Sequence, residues 1–319
     1  MTMFDWSSLT QRESRAVGVA MAVLGCMVEC PGSVLIRLAE VEQGLGCCTG
    51  YKYAVKAVVM SVGLTLSLGG PRAFIADCRQ IGRYFFLAAF CEGALCFFWN
   101  LAVMLTSAAN AAALQMLNPT WCIIFTFFLT WERTPNYTLV ASIITFSCGV
   151  AIFVMSLNSH RGVESILGDL FGILTGMSIG LYLTVLGHVQ KVYPGVNPMG
   201  VIALGGAFAS VSSFMLVEGN ILQECYPESG IPGYTWSITD GVLTTTSLFL
   251  ISLSTKRLPS AVTGLLFLTT SIVQPYIVWI VLDERPLDST LVFGAILCIT
   301  LVVHEMVGFY YADEKLRDN

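Results

Sequence analysis

Apolar positions along the chain come in runs of about 20 residues, the length at which a helix crosses a bilayer. Ten such runs are read: 16–36, 51–70, 83–105, 107–130, 137–157, 167–187, 197–217, 239–255, 258–282 and 288–311. Short polar segments separate them. The longest, about 218–238, holds Glu218, Glu224 and Glu228 among Pro227, Pro232 and Gly233 and reads as a loop. The first run is read as a span rather than a cleaved signal peptide. Acidic and basic residues mix before it, and no small-x-small site follows it.

One pattern is written twice. Residues 107–133 open on Ser107-Ala108, pass a proline at Pro119 and end on Trp131-Glu132-Arg133. Residues 260–285 open on Ser260-Ala261, pass Pro275 and end on Asp283-Glu284-Arg285. The echo continues in Tyr137-Thr138-Leu139-Val140 and Ser289-Thr290-Leu291-Val292. The spacing predicts an all-α polytopic membrane protein of ten transmembrane helices. Its two halves, 1–158 and 159–319, are repeats of five helices each.

Composition agrees. The chain is 55% hydrophobic and 12% charged, with mean hydropathy +0.74, whereas a soluble domain carries roughly 25% charged residues. Most of the surface is therefore expected to meet lipid. A net charge of −5 and the lack of a basic tail exclude a nucleic-acid partner. Eleven cysteines without CxxC pairs indicate neither a zinc site nor a disulfide framework. Those in apolar runs read as packing residues. Cys47, Cys48 and Cys225 lie in loops and would pair if that side is oxidising.

Lys and Arg in short loops set orientation. With both termini cytoplasmic, eleven of the sixteen Lys and Arg fall on the cytoplasmic side and five on the far side. Five spans per half is odd, so the halves enter from opposite faces as an inverted repeat. The Glu132-Arg133 end then faces the cytoplasm and the Glu284-Arg285 end faces away. Gly168, Gly172, Gly176 and Gly180 form a bare stripe for close helix packing, with a homodimer face as the other use.

Ionisable residues within a span mark function by default. Glu29 lies two residues before Pro31, and His304-Glu305 lies near the cytoplasmic end of the last span, where it reads as an interfacial pair. Glu92 lies about nine residues into the third span, roughly 14 Å deep. Glu92, Cys96, Trp99 and Asn100 share one helical face. Gln115 and Asn118 share another, as do Ser271 and Gln274. Such faces suit a wet cavity that binds a small organic molecule. The prolines free the carbonyls of Met27, Gln115 and Ser271, which then need partners. The candidate substrate-binding residues are thus Glu29, Glu92, Trp99, Asn100, Gln115, Asn118, Ser271 and Gln274. No metal site or cofactor is expected: three histidines and an incomplete HExxH at His304 assemble none.

The segment 107–112, Pro119, Glu132-Arg133 and Gly149, answered by Ser260-Ala261, Glu284-Arg285 and Gly294, resembles the repeat of the EamA family of the drug/metabolite transporter superfamily. The second half departs from the first: Pro275 lies one turn later than Pro119 relative to its Glu-Arg. The resemblance implies a five-plus-five inverted repeat around a central cavity, and movement of small metabolites such as amino acids by alternating access. Glu29 or Glu92 is the candidate for coupling to a proton. Nucleotide-sugar and sugar-phosphate antiporters belong to the same superfamily and need cavity Lys or Arg for phosphate. Here Lys52 and Lys56 read as the far-side start of the second span, and Lys256 and Arg257 as a cytoplasmic loop, so that reading comes second. A non-transporting receptor or scaffold comes after it, and an enzyme is not expected.

Overall fold

The structure, a computed structural model, describes residues 11–68, 71–130, 134–158, 163–217, 225, 232–283 and 288–317. Among these every regular element is helical. Helices α1 (Gln11–Glu29) and α2 (Gly32–Gln43) meet at Pro31 and lead to α3 (Leu45–Leu68), the short α4 (Pro71–Ile81) and α5 (Arg83–Leu105). Next, α6 (Ala108–Leu114) joins α7 (Asn118–Thr130) through a 3-10 turn at Gln115–Leu117. The chain continues through α8 (Asn136–Asn158), α9 (Val163–Val192), α10 (Pro198–Phe214) and α11 (Pro232–Ser254). It ends in α12 (Ser260–Leu266), α13 (Leu268–Leu282) and α14 (Asp288–Arg317).

Each of the ten apolar runs falls on a helix or on two helices meeting at a break. Among the described residues seven stretches are long and apolar enough to cross a membrane, from Glu13–Val41 to Leu291–Tyr311. Helices α3 and α11 have the length, 24 and 23 residues, but not the apolarity. They are the helices that carry Lys52, Lys56 and Asp240. Both also start earlier than their apolar runs, at Leu45 and Pro232, because the turns at 45–50 and 232–238 carry Gly, Thr, Ser and Tyr, which interrupt a continuous apolar run.

Burial is inverted relative to a soluble protein. Leu66 and Ile280 are 82% exposed, and Phe128, Ile299 and Met306 project outward as well, while Lys52, Lys56, Glu92, Asp169 and Asp240 are buried. Water would not tolerate that surface, and lipid has no use for that interior. The chain is a multi-pass integral membrane protein.

Helix α5 packs along α9 and α10, and α11 packs along α1, α2 and α3. Helix α3 packs on α10, α7 on α9 and α12, and α8 on α14. The glycine stripe of α9 lies against α6 and α7 within the chain. A Cβ at Gly172 would lie 3.0 Å from Leu114 Cβ, and one at Gly180 would lie 2.6 Å from Trp121 Cβ. At the edge, His304 bonds Thr138 at 3.0 Å and Glu305 at 2.8 Å, and Glu305 pairs with Arg15 at 3.0 Å, tying α14 to α8 and α1. Glu132, Arg133, Glu284 and Arg285 lie outside the described residues.

Cys47, at the start of α3, is disulfide-bonded to Cys225, while Cys48 is free. The bond ties α3 to the segment before α11 on the face away from the Lys- and Arg-rich loops. In protein prepared under oxidising conditions, a maleimide mass tag on the denatured chain should therefore reach nine cysteines before reduction and eleven after. Either Cys47→Ser or Cys225→Ser should abolish that difference by freeing its partner. Tagging of all eleven without reductant would disprove the pairing.

Candidate functional site

The interior of the bundle holds two buried ion pairs, both built on α3. Lys52 and Lys56 lie one turn apart and project to one side. Lys52 Nζ lies 2.8 Å from Asp240 Oδ2 of α11. Lys56 Nζ contacts Glu92 Oε1 of α5 and lies 2.9 Å from Cys96 Sγ. Tyr53 stands beside both: its ring centroid is 5.4 Å from Lys52 Nζ and 5.2 Å from Lys56 Nζ, and its hydroxyl donates to the Cys96 carbonyl at 2.7 Å. Helix α10 makes room with two glycines. A Cβ at Gly205 would collide with Glu92 Oε2, and one at Gly206 would lie 3.2 Å from Lys56 Cε. Taking four charges out of water is tolerable here only because each meets its opposite.

A fifth charge stands apart. Glu29 ends α1 where Pro31, lacking an N–H, breaks the helix. Thr244 donates to Glu29 Oε1 at 3.2 Å and lies 3.4 Å from Asp240 Oδ1. Glu29 Oε2 is buried without a partner. At Gly32, which opens α2, a Cβ would lie 3.0 Å from Asp240 Oδ1, so the missing side chain is what lets the break approach the acid.

These groups surround a cavity of about 30 Å³, room for about two waters. Its wall includes Glu29, Lys52, Tyr53, Cys96, Trp99 and Gln115, together with Thr175, Thr244, Ser247, Phe267 and Thr270. Three helices break at its level, and each break contributes a wall residue: Glu29 at Pro31, Gln115 at the 3-10 turn and Phe267 between α12 and α13. Broken helices beside a cavity are how membrane carriers present backbone and side chains to a solute. On the Cys47 side, Val34, Trp99, Val103, Ala111 and Val278 pack into an apolar plug. Among the described residues no three His, Cys, Asp or Glu side chains converge on a metal-sized point.

Of the eight residues singled out in the sequence, Glu29, Trp99 and Gln115 line the cavity. Glu92 stands one side chain behind the wall, reached through Lys56 and Cys96. Asn118 does not reach it. Its amide donates to the Gln115 carbonyl at 3.0 Å, the carbonyl that Pro119 frees, so Asn118 repairs its own helix. Asn100, Ser271 and Gln274 are buried off the wall, their side-chain polar atoms without partners.

Sequence reasoning put Lys52 and Lys56 at a membrane edge and passed over Asp240. The structure corrects this: all three are buried, Lys52 in the cavity wall, Asp240 paired with it, and Lys56 in contact with the wall residue Cys96. Two lysines at i and i+4 on one apolar helix were the available signal, since a pair on one face implies partners on that face. Asp169 was also passed over. It is fully buried and accepts from Thr106 Oγ1 at 2.8 Å.

No family model matches this chain, and no curated protein does. Solved structures do. The chain is similar to a crystal structure of a protein at TM-score 0.67, covering 91% of this chain and 98% of that one at 14% identity. At that identity the likeness is one of fold, and it extends over nearly the whole of both chains.

Proposed function

We propose that this protein is a secondary transporter of the EamA type, in which two inverted five-helix repeats move a small organic solute by alternating access. The observation that carries this reading is a cavity walled by polar and ionisable side chains, held at three helix breaks inside a lipid-compatible shell. The packing supports the repeat. Exchanging the halves turns α5 on α9 into α11 on α1–α2, and α5 on α10 into α11 on α3. The same exchange returns α3 on α10 and α8 on α14 to themselves, and it turns α7 on α12 into α13 on α6.

In this reading the chain is a carrier rather than an enzyme, with both termini cytoplasmic. The form described is closed by the plug on the far side. The solute, an amino acid or similar metabolite, binds at the cavity wall. The breaks at Pro31, Gln115–Leu117 and Phe267 supply the bending points. A proton on Glu29 or Glu92 drives the cycle.

One observation favours a second reading, a nucleotide-sugar or sugar-phosphate antiporter: Lys52 lines the cavity and Lys56 lies one helical turn from it. Both are already neutralised by Asp240 and Glu92, so a phosphate would have to displace a carboxylate. That ranks it second.

Counterflow into proteoliposomes tests both. Preloaded vesicles should accumulate a labelled amino acid, and unlabelled amino acids should compete while nucleotide sugars and sugar phosphates should not. Reversed competition favours the antiporter, and solute binding without flux would replace a carrier by a receptor.

A further inference from the structure

The two lysines and three carboxylates around the cavity do not balance. Lys52 answers Asp240 and Lys56 answers Glu92, which leaves Glu29. Among the described residues its environment offers no third cation. From α11 it meets Asp240 and the neutral Thr244. From α3 the cavity wall brings Lys52, already paired, and Tyr53, whose hydroxyl is committed to the Cys96 carbonyl. From α5 come Cys96 and, behind it, the Lys56–Glu92 pair. From α13 comes Thr270, which is neutral. Its own helix adds Cys26 and, just after the end, Cys30. An uncompensated carboxylate so placed is too costly to leave as it is. It must carry either a proton or a cation from solution.

The wall around it is suited to an organic cation. Trp99 and Phe267 put aromatic rings in the wall of the same small cavity, and aromatic rings attract ammonium groups. Glu29 Oε2 is a buried acceptor without a donor. Both lysines, by contrast, are engaged, so among the described residues the cavity has no free positive charge to offer an anion.

We propose that the transported solute carries a protonated amine, and that this amine and a proton occupy Glu29 in alternation. This rests on the transporter reading and narrows it to amine–proton exchange. The step balances. Protonated Glu29 gives up its proton to water as the incoming ammonium takes its place on the carboxylate. One monovalent cation enters for each proton that leaves, and no other bond changes. Asp240 and Glu92 keep their lysines throughout, so Glu92 is a structural acid in this scheme.

The test begins with the full purified chain in detergent, in weak buffer with a pH dye. Tyramine, ethanolamine and choline are titrated in, with tyrosol and ethylene glycol as the neutral counterparts of the first two. At least one amine should release a proton on binding, and its affinity should weaken by up to about tenfold for each unit the pH is lowered. The neutral counterparts should release none. Glu29→Gln, which can still accept from Thr244, should abolish the release, and Glu29→Asp should keep it. Binding without release, release that survives Glu29→Gln, or binding by none of the three amines overturns the proposal. In proteoliposomes the two ideas separate. Flux of any solute without amine-dependent proton movement sinks amine exchange alone, whereas absence of all flux sinks the transporter reading and this with it.

Discussion

Replacing Lys56 by Met is expected to destabilise the protein by about 3–5 kcal/mol, and replacing Lys56 and Glu92 together by Met and Leu to recover most of that loss. The asymmetry follows from burial. Lys56 and Glu92 are both fully buried, so removing one leaves the other charge without a partner in a medium that cannot solvate it. Removing both takes away the desolvation cost with the attraction. The readout is thermal unfolding in detergent, where the single change should lower the midpoint on the order of 10 °C. The pair would have no structural role if the single variant melted with the wild type. A double variant weaker than either single one would mean that shape, not charge, governs the site.

Gly180→Ala is the second large effect. A methyl there would lie 2.6 Å from Trp121 Cβ, 3.0 Å from the Cys122 nitrogen and 3.1 Å from the Asn118 carbonyl oxygen. Two of those atoms are backbone, so α9 must move off α7. Overpacking of this kind costs about 1–3 kcal/mol. The movement also displaces Thr175 and Ile179, which α9 contributes to the cavity wall, so under the proposed transporter function solute uptake should fall with stability. Gly294→Ala is the internal control. Nothing lies within 4 Å of its added methyl, and replacing a mid-helix glycine there should be neutral or stabilise by up to about 1 kcal/mol. Equal losses in the two variants would show that glycine flexibility, not close approach, is what α9 needs.

Much of the helical framework was legible because lipid imposes one simple demand, an apolar exterior about 20 residues long. The runs at 83–105 and 137–157 need no tertiary knowledge, and α5 and α8 follow them within a residue or two. The break at Pro31 and the bend at Pro119 were legible for a covalent reason, the missing N–H. Helix α4 was not, since its apolar positions are too few to register as a run. The starts of α3 and α11 were not legible either, because residues 45–50 and 232–238 are rich in Gly, Thr, Ser and Tyr and do not extend an apolar run.

The candidate site divides along the same line. Glu29, Trp99 and Gln115 were found by their helical faces, since a polar group in a span must point away from lipid whatever the fold. Their neighbours were not found in this way. Lys52 lies 188 residues from Asp240 in sequence, and Lys56 lies on a different helix from Glu92.

By itself, then, the sequence determined that this is a helical protein living in lipid, that two helices break at or near Pro31 and Pro119, and which faces are polar, because those properties depend on residues within one or two turns of each other. The third break, at Phe267, precedes Pro275, which lies inside α13. Only the tertiary structure decided which charges cancel and which one is left over. Pairing depends on how α3, α5 and α11 are brought together, and glycines at 32, 205 and 206 control that approach without announcing their partners. Asn118 shows the same limit from the other side: its position on a polar face was local information, but its use in capping Gln115 depended on the geometry of the turn.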